Sequence, residues 1–242
     1  MSDESGPFAL VIGGASGIGA ALADAYKAQG MTAVTWDIEG RHDITCDVRE
    51  PDAIDDAVGL TRMRWGIPTS VTITAGVGHS GLLTEAEPDA FDRVMRVNAR
   101  APWLCMRAWV GAMRGQQVAG SFVAASSISA RLADRTMGIY CASKAALSML
   151  VQVAATEWGP FGIRVNAIAP GVTRTPMLGR GPALTVDGSP WLAGVAERTP
   201  LGRLGEPEDI ARSIIALHSM EWVTGQVLEC DGGLGLRSPI IS

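Results

Sequence analysis

Tyr140 and Lys144 stand four residues apart in a stretch with helical periodicity. That spacing puts both side chains on one helix face, with Cβ atoms ~5–6 Å apart. The chain holds two Tyr (Tyr26, Tyr140) and two Lys (Lys27, Lys144), and its other 18 basic residues are Arg. Chance would supply a Tyr-x-x-x-Lys pair roughly 0.02 times. A phenol is a poor base at neutral pH, and lowering its pKa by about three units takes ~4 kcal/mol. An ammonium ~4 Å away supplies roughly that much at an effective dielectric near 20. The pair therefore spells proton transfer, with Lys144 expected to lower the Tyr140 pKa. Arg could not replace a lysine that must also donate to ribose hydroxyls and release protons. Thirteen residues upstream, Ser126, Ser127 and Ser129 cluster after an apolar run, and spacing alone does not choose among them.

A second constellation lies near the N-terminus. Gly13, Gly17 and Gly19 follow a short apolar run and open an Ala-rich helical stretch closed by Gly30. Such a turn brings backbone N–H groups and a helix N-terminus against a pyrophosphate. Asp37 follows 24 positions after Gly13, at the end of the next β-branched run. A carboxylate there accepts both ribose hydroxyls of an adenosine and repels a 2′-phosphate. Asp47 and Val48, at the end of a third apolar run, are weaker candidates for contact with the adenine.

Positioning these groups requires strands alternating with helices. Strands are expected at 8–12, 32–36, 44–48, 70–75, 121–125, 165–169 and 226–230. Helices are expected after the glycine turn, from Pro51, and over 88–114, 139–158 and 207–219. The strands are continuous apolar runs, the mark of a parallel sheet covered on both faces. One doubly wound α/β domain follows, with no internal repeat and an irregular, Gly- and Pro-rich segment over 176–200 that reads as a lid.

Composition removes other classes. The net charge is −5, with no run of like charges longer than two, so a nucleic-acid or anionic-membrane surface is not expected. The longest uncharged stretch, Trp65 to Thr84, contains four Gly and one Pro and is no membrane span. The N-terminus is acidic and shows no signal peptide. Four scattered Cys fit reduced thiols in the cytoplasm, and His42, His79 and His218 lack ligand spacing, so no metal site is expected.

Taken with VIGGASGIG (11–19), TAG (74–76), RVNA (96–99), ASS (125–127), YCASKAA (140–146), IRVNAIAPGVTRTPM (163–177) and CDGG (230–233), the chain resembles the short-chain dehydrogenase/reductase superfamily. The likeness runs from Phe8 to Gly233. It implies a Rossmann-like seven-stranded parallel sheet of order 3-2-1-4-5-6-7. The family's catalytic Asn, Ser, Tyr and Lys fall on Asn98, Ser127, Tyr140 and Lys144. Its cofactor contacts fall on Gly13, Ser16, Gly17, Ile18, Gly19, Ala75, Gly76, Pro170, Gly171, Val172 and Thr175, beside Asp37, Tyr140 and Lys144.

The resemblance implies NAD-dependent oxidoreduction of a secondary alcohol or ketone. Tyr140 would be the acid/base and Ser127 would hold the substrate oxygen. Lys144 would hold the nicotinamide ribose and Asn98 would order a relay water. A nucleotide-sensing protein without turnover, or an epimerase or dehydratase using the same Tyr-Lys pair, are the alternatives. Two departures stand out: Ile12 replaces the family's Thr before the first Gly, and Ile73-Thr74 replaces Asn-Asn. Hydrogen bonds made at both places must arise otherwise. The link from Asp37 to Asp47 is also too short for the helix many relatives carry there. Trp103, Leu104, Met106, Trp109, Val110 and Met113, with Ala145, Leu147, Met149, Leu150, Val153 and Trp158, exceed one buried stripe per helix. Family helices at these places pair across twofold axes, which implies a homotetramer.

Overall fold

Phe8–Ile12 (β1) is buried at every position, and its residues divide between two cores. Phe8, Leu10 and Ile12 enter one apolar cluster, while Ala9 and Val11 enter another on the opposite face. Strand side chains alternate sides, so a strand covered on both faces must be apolar throughout. The structure is a computed structural model that describes residues 6–178 and 190–236.

The other strands are Thr32–Asp37 (β2), Ile44–Thr45 (β3), Ser70–Ile73 (β4), Gly120–Ala125 (β5), Ile163–Pro170 (β6) and Val227–Cys230 (β7). They form one seven-stranded sheet in the order β3-β2-β1-β4-β5-β6-β7, every pair parallel. Chain order reverses at β1, and the crevice there, beyond the carboxyl ends of β1 and β4, is where ligands of such sheets bind.

Helices Gly17–Ala28 (α1), Pro51–Trp65 (α2), Pro88–Met95 (α3), Ala101–Gly115 (α4) and Gly138–Trp158 (α5) follow the expected places. Two more, Pro190–Arg198 (α6) and Pro207–Ser219 (α7), complete the described set. Leu22, Ala23 and Tyr26 of α1 share one core with Ile210, Ala211 and Ile214 of α7. Trp36, Trp109, Met106 and Phe122 anchor the other, with Trp36 and Trp109 ring centroids 5.9 Å apart.

Four expectations need correction. The third strand ends at Thr45 rather than Val48, because the chain turns into a loop where Asp47 pairs with Arg49. The helix expected over 88–114 is α3 and α4 joined by a π-helical turn, Arg96–Arg100, in which Ala101 N donates to Arg96 O five residues back. Within 176–200, residues 179–189 lie outside the described residues, but 190–198 is helix rather than irregular chain. Its Leu192 and Val195 pack on Ile128, Leu204 and Leu234, so tertiary burial overrides the local Gly and Pro content. Finally, α4 is not broadly two-faced: Leu104, Met106, Trp109, Val110 and Met113 are all buried within the chain. Only Trp103 of that set is exposed, whereas Met149 and Val153 of α5 are exposed as well.

Among the described residues, one segment, Gly138–Phe161, is by length and composition apolar enough to cross a membrane. Its Leu147, Val151 and Ala154 are instead buried in the core beneath the sheet.

Candidate active site

The glycine turn is fixed by backbone contacts on both sides. Gly13 N and Gly14 N donate to Trp36 O at 2.8 and 3.2 Å, tying the turn to the end of β2. Gly13 has φ +86°, and a Cβ there would stand 2.5 Å from Ala75 N. A Cβ on Gly19 would stand 2.0 Å from Gly13 O, so neither position admits a side chain. The hydrogen bonds expected at the departing Ile12 and Ile73-Thr74 are made by Thr74: its Oγ1 donates to Ile12 O (3.1 Å) and Gly13 O (2.9 Å). Thr74 N and Ala75 N also donate to Ile12 O. The sheet end is thus closed from β4.

Helix α1 begins directly after this turn. Ser16 is its N-cap residue but makes no side-chain cap, and no acidic residue occupies the first turn. Uncapped N–H groups and the helix dipole there suit a phosphate. Ile18, the second helical residue, packs against the α1–α7 core. Asp37 sits at the mouth: its Oδ2 accepts from Ala15 N at 2.9 Å and its Oδ1 from Ile38 N at 2.8 Å. Each carboxylate oxygen keeps a further lone pair for a ribose hydroxyl. Asp47 is engaged differently, since Arg49 donates to both its oxygens and holds the carboxyl below the usual range. Val48 packs against the core.

Opposite the turn, the β6 exit folds back over it. Gly171, after Pro170, donates to Cys230 O at 3.1 Å, and Val172 O accepts from Gly205 N at 3.0 Å. Thr175 then reaches within 3.3 Å of where a Gly17 Cβ would stand. Gly13 thus meets Ala75, Asp37 meets the turn at Ala15 and Thr175 meets it at Gly17, while Arg49 engages Asp47 and Val48 packs on the core.

The acid/base group is built on α5. Lys144 is buried, and its Nζ donates to Ala125 O at 2.8 Å and lies 5.7 Å from the Tyr140 ring centroid. Burial pulls the Lys144 ammonium down to about 8. An ammonium has three donors, so this lysine retains hydrogen-bonding capacity for a ligand. A Cβ on Gly76 would stand 3.5 Å from Lys144 Nζ, so glycine keeps the approach open.

Burial pushes the Tyr140 phenol up, opposed by a hydrogen bond with Ser127. Lys144 is not among the groups that shift the phenol, so the depression expected from it is not found here.

The serine ambiguity is resolved by orientation. Ser126 Oγ faces α5, 2.7 Å from Ser148 Oγ, and Ser129 Oγ donates to Asp134 Oδ2 at 3.0 Å. Ser127 alone meets Tyr140.

Asn98 lies in the π-helical turn and is fully buried. Its Oδ1 accepts from Val77 N (2.8 Å), and its Nδ2 donates to Val77 O (2.9 Å) and Ser143 Oγ (3.1 Å). The amide is therefore occupied in fixing the loop after β4 to α5. Ser143 Oγ in turn donates to Tyr140 O at 2.7 Å. Ser143 and Thr74 join the site as supporting residues, and their position inside the motifs YCASKAA and TAG is the signal the sequence offers for them. Among the described residues, no group of three or more His, Cys, Asp or Glu could hold a metal ion.

The chain is similar to known proteins in sequence and fold. The enoyl-(acyl carrier protein) reductase family model matches residues 13–235. A 2,5-dichloro-2,5-cyclohexadiene-1,4-diol dehydrogenase of Sphingobium indicum is 32% identical, over 96% of this chain and 98% of that protein. A human (3R)-3-hydroxyacyl-CoA dehydrogenase is 31% identical, over 93% of this chain and 94% of its own. The ligand-free aldohexose dehydrogenase of Thermoplasma acidophilum superposes with a TM-score of 0.90 at 26% identity, covering 100% of this chain and 98% of that one. The chain belongs to the short-chain dehydrogenase/reductase superfamily.

Proposed function

We propose that this chain is an oxidoreductase that interconverts a secondary alcohol and its ketone with NAD(H). The observation that carries the reading is a buried lysine with donors to spare, beside a half-buried Tyr140 hydrogen-bonded to Ser127, at the crevice the glycine turn borders. A structural lysine buried without a carboxylate would be costly, whereas one that receives ribose hydroxyls is matched. The dehydrogenase names of the relatives agree with this reading.

A nicotinamide dinucleotide, when bound, supplies the two-electron exchange with the substrate carbon. The chain's residues hold and orient it. The α1 N-terminus, with Gly13, Ser16, Gly17 and Gly19, takes the pyrophosphate. Asp37 takes the adenosine ribose and disfavours a 2′-phosphate. Lys144 takes the nicotinamide ribose, and Thr175 closes over the turn.

Ser127 donates to the substrate oxygen, and Tyr140 hands it a proton in reduction or takes one in oxidation. With its phenol pushed up by burial, Tyr140 keeps its proton at neutral pH and can hand it to the substrate oxygen in reduction. Asn98 and Ser143 position α5 against the loop after β4.

We also infer a cytoplasmic homotetramer. Trp103, Met149, Leu150 and Val153 line an apolar groove between α4 and α5, a surface a second copy would cover. The activity is tested by following the nicotinamide absorbance band with a panel of alcohols and ketones. Cofactor turnover with one class of secondary alcohol is expected, and dinucleotide binding without any turnover would overturn the reading.

A further inference from the structure

Twelve residues separate Ser127 from Tyr140, and hydrogen bonds fold them back on themselves. They begin with the tight turn Ile128–Ala130, in which Ser129 N donates to Ser127 Oγ at 3.1 Å and Ala130 N to Ser127 O at 3.0 Å. They lead into α5 at Met137, whose N donates to Asp134 O at 3.1 Å and whose carbonyl accepts from Cys141 N at 2.8 Å. A side-chain bond joins the two ends: Ser129 Oγ donates to Asp134 Oδ2 at 3.0 Å. Asp134 therefore holds the turn that carries Ser127 with its side chain and the lead-in to Tyr140 with its backbone.

The same segment is anchored to other elements. Arg131 donates to both oxygens of Glu229 on β7, at 2.7 and 2.9 Å. Thr136 O accepts from Gly81 N at 2.8 Å, and Ser80 Oγ reaches Thr136 Oγ1 at 3.4 Å. Thr136 adopts φ +72°, a left-handed backbone that is unfavourable for a β-branched residue and persists only where surroundings impose it. These ties fix where the segment lies, whereas the bond from Ser129 to Asp134 acts on the residue whose N–H holds Ser127 Oγ. Ser129 is buried, so loss of its acceptor would leave a hydroxyl unsatisfied in the interior and free the turn to shift.

We propose that Asp134 is a positioning residue for proton transfer: through Ser129 it fixes the turn that aims the Ser127 hydroxyl at Tyr140. The inference rests on the oxidoreductase reading above and adds to it a group that acts through another residue. The Ser129 N–H occupies one lone pair of Ser127 Oγ, leaving its proton and a second lone pair for Tyr140 and a substrate oxygen. A misplacement of ~1 Å at a reacting group can cost about 10²-fold in rate, so a loosened turn shows in kcat before it shows in ligand binding. The bond with Ser127 also opposes the upward push of burial on the Tyr140 phenol, so a loosened Ser127 lets that phenol rise further.

The test compares Asp134→Ala, Asp134→Asn, Ser129→Ala and the Ser129→Ala/Asp134→Ala double variant with the wild type. Each is assayed with NAD on the secondary alcohol of the panel that the wild type oxidises best, with NADH affinity measured alongside. Asp134→Ala should lower kcat about tenfold or more, with KM and NADH affinity unchanged, and should move the rise of oxidation with pH to higher pH. Asp134→Asn, which keeps an oxygen acceptor, should recover most of the rate and the wild-type pH profile. Ser129→Ala should lose as much as Asp134→Ala, and the double variant no more than either single one. Full activity in Asp134→Ala, a loss that Asp134→Asn does not restore, losses that multiply in the double variant, or a matching fall in NADH affinity overturns the inference and leaves the oxidoreductase reading standing. A wild type that turns over no alcohol or ketone of the panel overturns both.

Discussion

Lys144 Nζ lies 5.7 Å from the centre of the Tyr140 ring and donates to Ala125 O at the end of β5, so sheet and helix jointly fix the pair. Burial acts on the two groups in opposite senses, raising the phenol and lowering the ammonium to about 8. Both shifts favour neutral forms, as desolvation requires. A ligand that brings hydroxyls to Lys144 would change its surroundings and return strength to its charge.

The raised phenol has a kinetic consequence. Oxidation needs Tyr140 without its proton, whereas reduction needs it with one. Alcohol oxidation should therefore rise in kcat/KM from pH 7 towards 10, while ketone reduction changes little over the same range. Rate profiles in both directions check this, and oxidation that is flat or falls with pH contradicts it.

Asp37 should decide between dinucleotides. A 2′-phosphate ~4 Å from its carboxylate would be repelled by up to ~4 kcal/mol before screening. The wild type should favour NAD over NADP by about 10²-fold in kcat/KM, and Asp37→Ser should raise use of NADP at least tenfold. Equal efficiency with both cofactors in the wild type contradicts the assignment.

Much of this was legible in the sequence because chemistry restricts residue type. A lone Tyr-x-x-x-Lys pair in an Arg-rich chain, a glycine turn after an apolar run and an acidic residue ending the next strand need no coordinates to stand out. The side-by-side serines did need them, since only orientation separates Ser127 from Ser126. Helix α6 was obscured by its Gly- and Pro-rich surroundings and is stabilised by contacts with Ile128 and Leu234, far away in sequence. The substitute role of Thr74 was also hidden, because a hydrogen bond to a carbonyl 61 residues away leaves no local pattern.

His218 should make the fold acid-sensitive. It is buried between Thr72 and Ser121, with ring nitrogens 2.9 Å from each hydroxyl, and Arg164 donates to its carbonyl. Burial, with the Arg164 charge, lowers its pKa from 6.5 to about 3. The unfolded chain then binds the extra proton between those values, so stability is complete above pH 6.5 and lost as pH falls towards 3. About 2 kcal/mol should disappear between pH 7 and 5. Urea unfolding at both values checks it: His218→Gln should lose less than the wild type over this interval, and equal losses contradict it.

The apolar groove between α4 and α5 should be covered in solution. Light scattering should give four times the 25.3 kDa chain mass. Replacing Met149 and Val153 with Glu should split the assembly and lower activity by loosening the helix that carries Tyr140 and Lys144. A monodisperse active monomer in the wild type contradicts the assembly, and a stable dimer contradicts the tetramer alone.

The most direct test is Tyr140→Phe, assayed for turnover of the best substrate and, separately, for NADH binding by fluorescence. Removing the one hydroxyl that moves the proton should lower kcat by about two orders of magnitude or more, with NADH affinity nearly unchanged. A variant that keeps more than about a tenth of the wild-type rate would contradict the account, because the proton would then pass through another group.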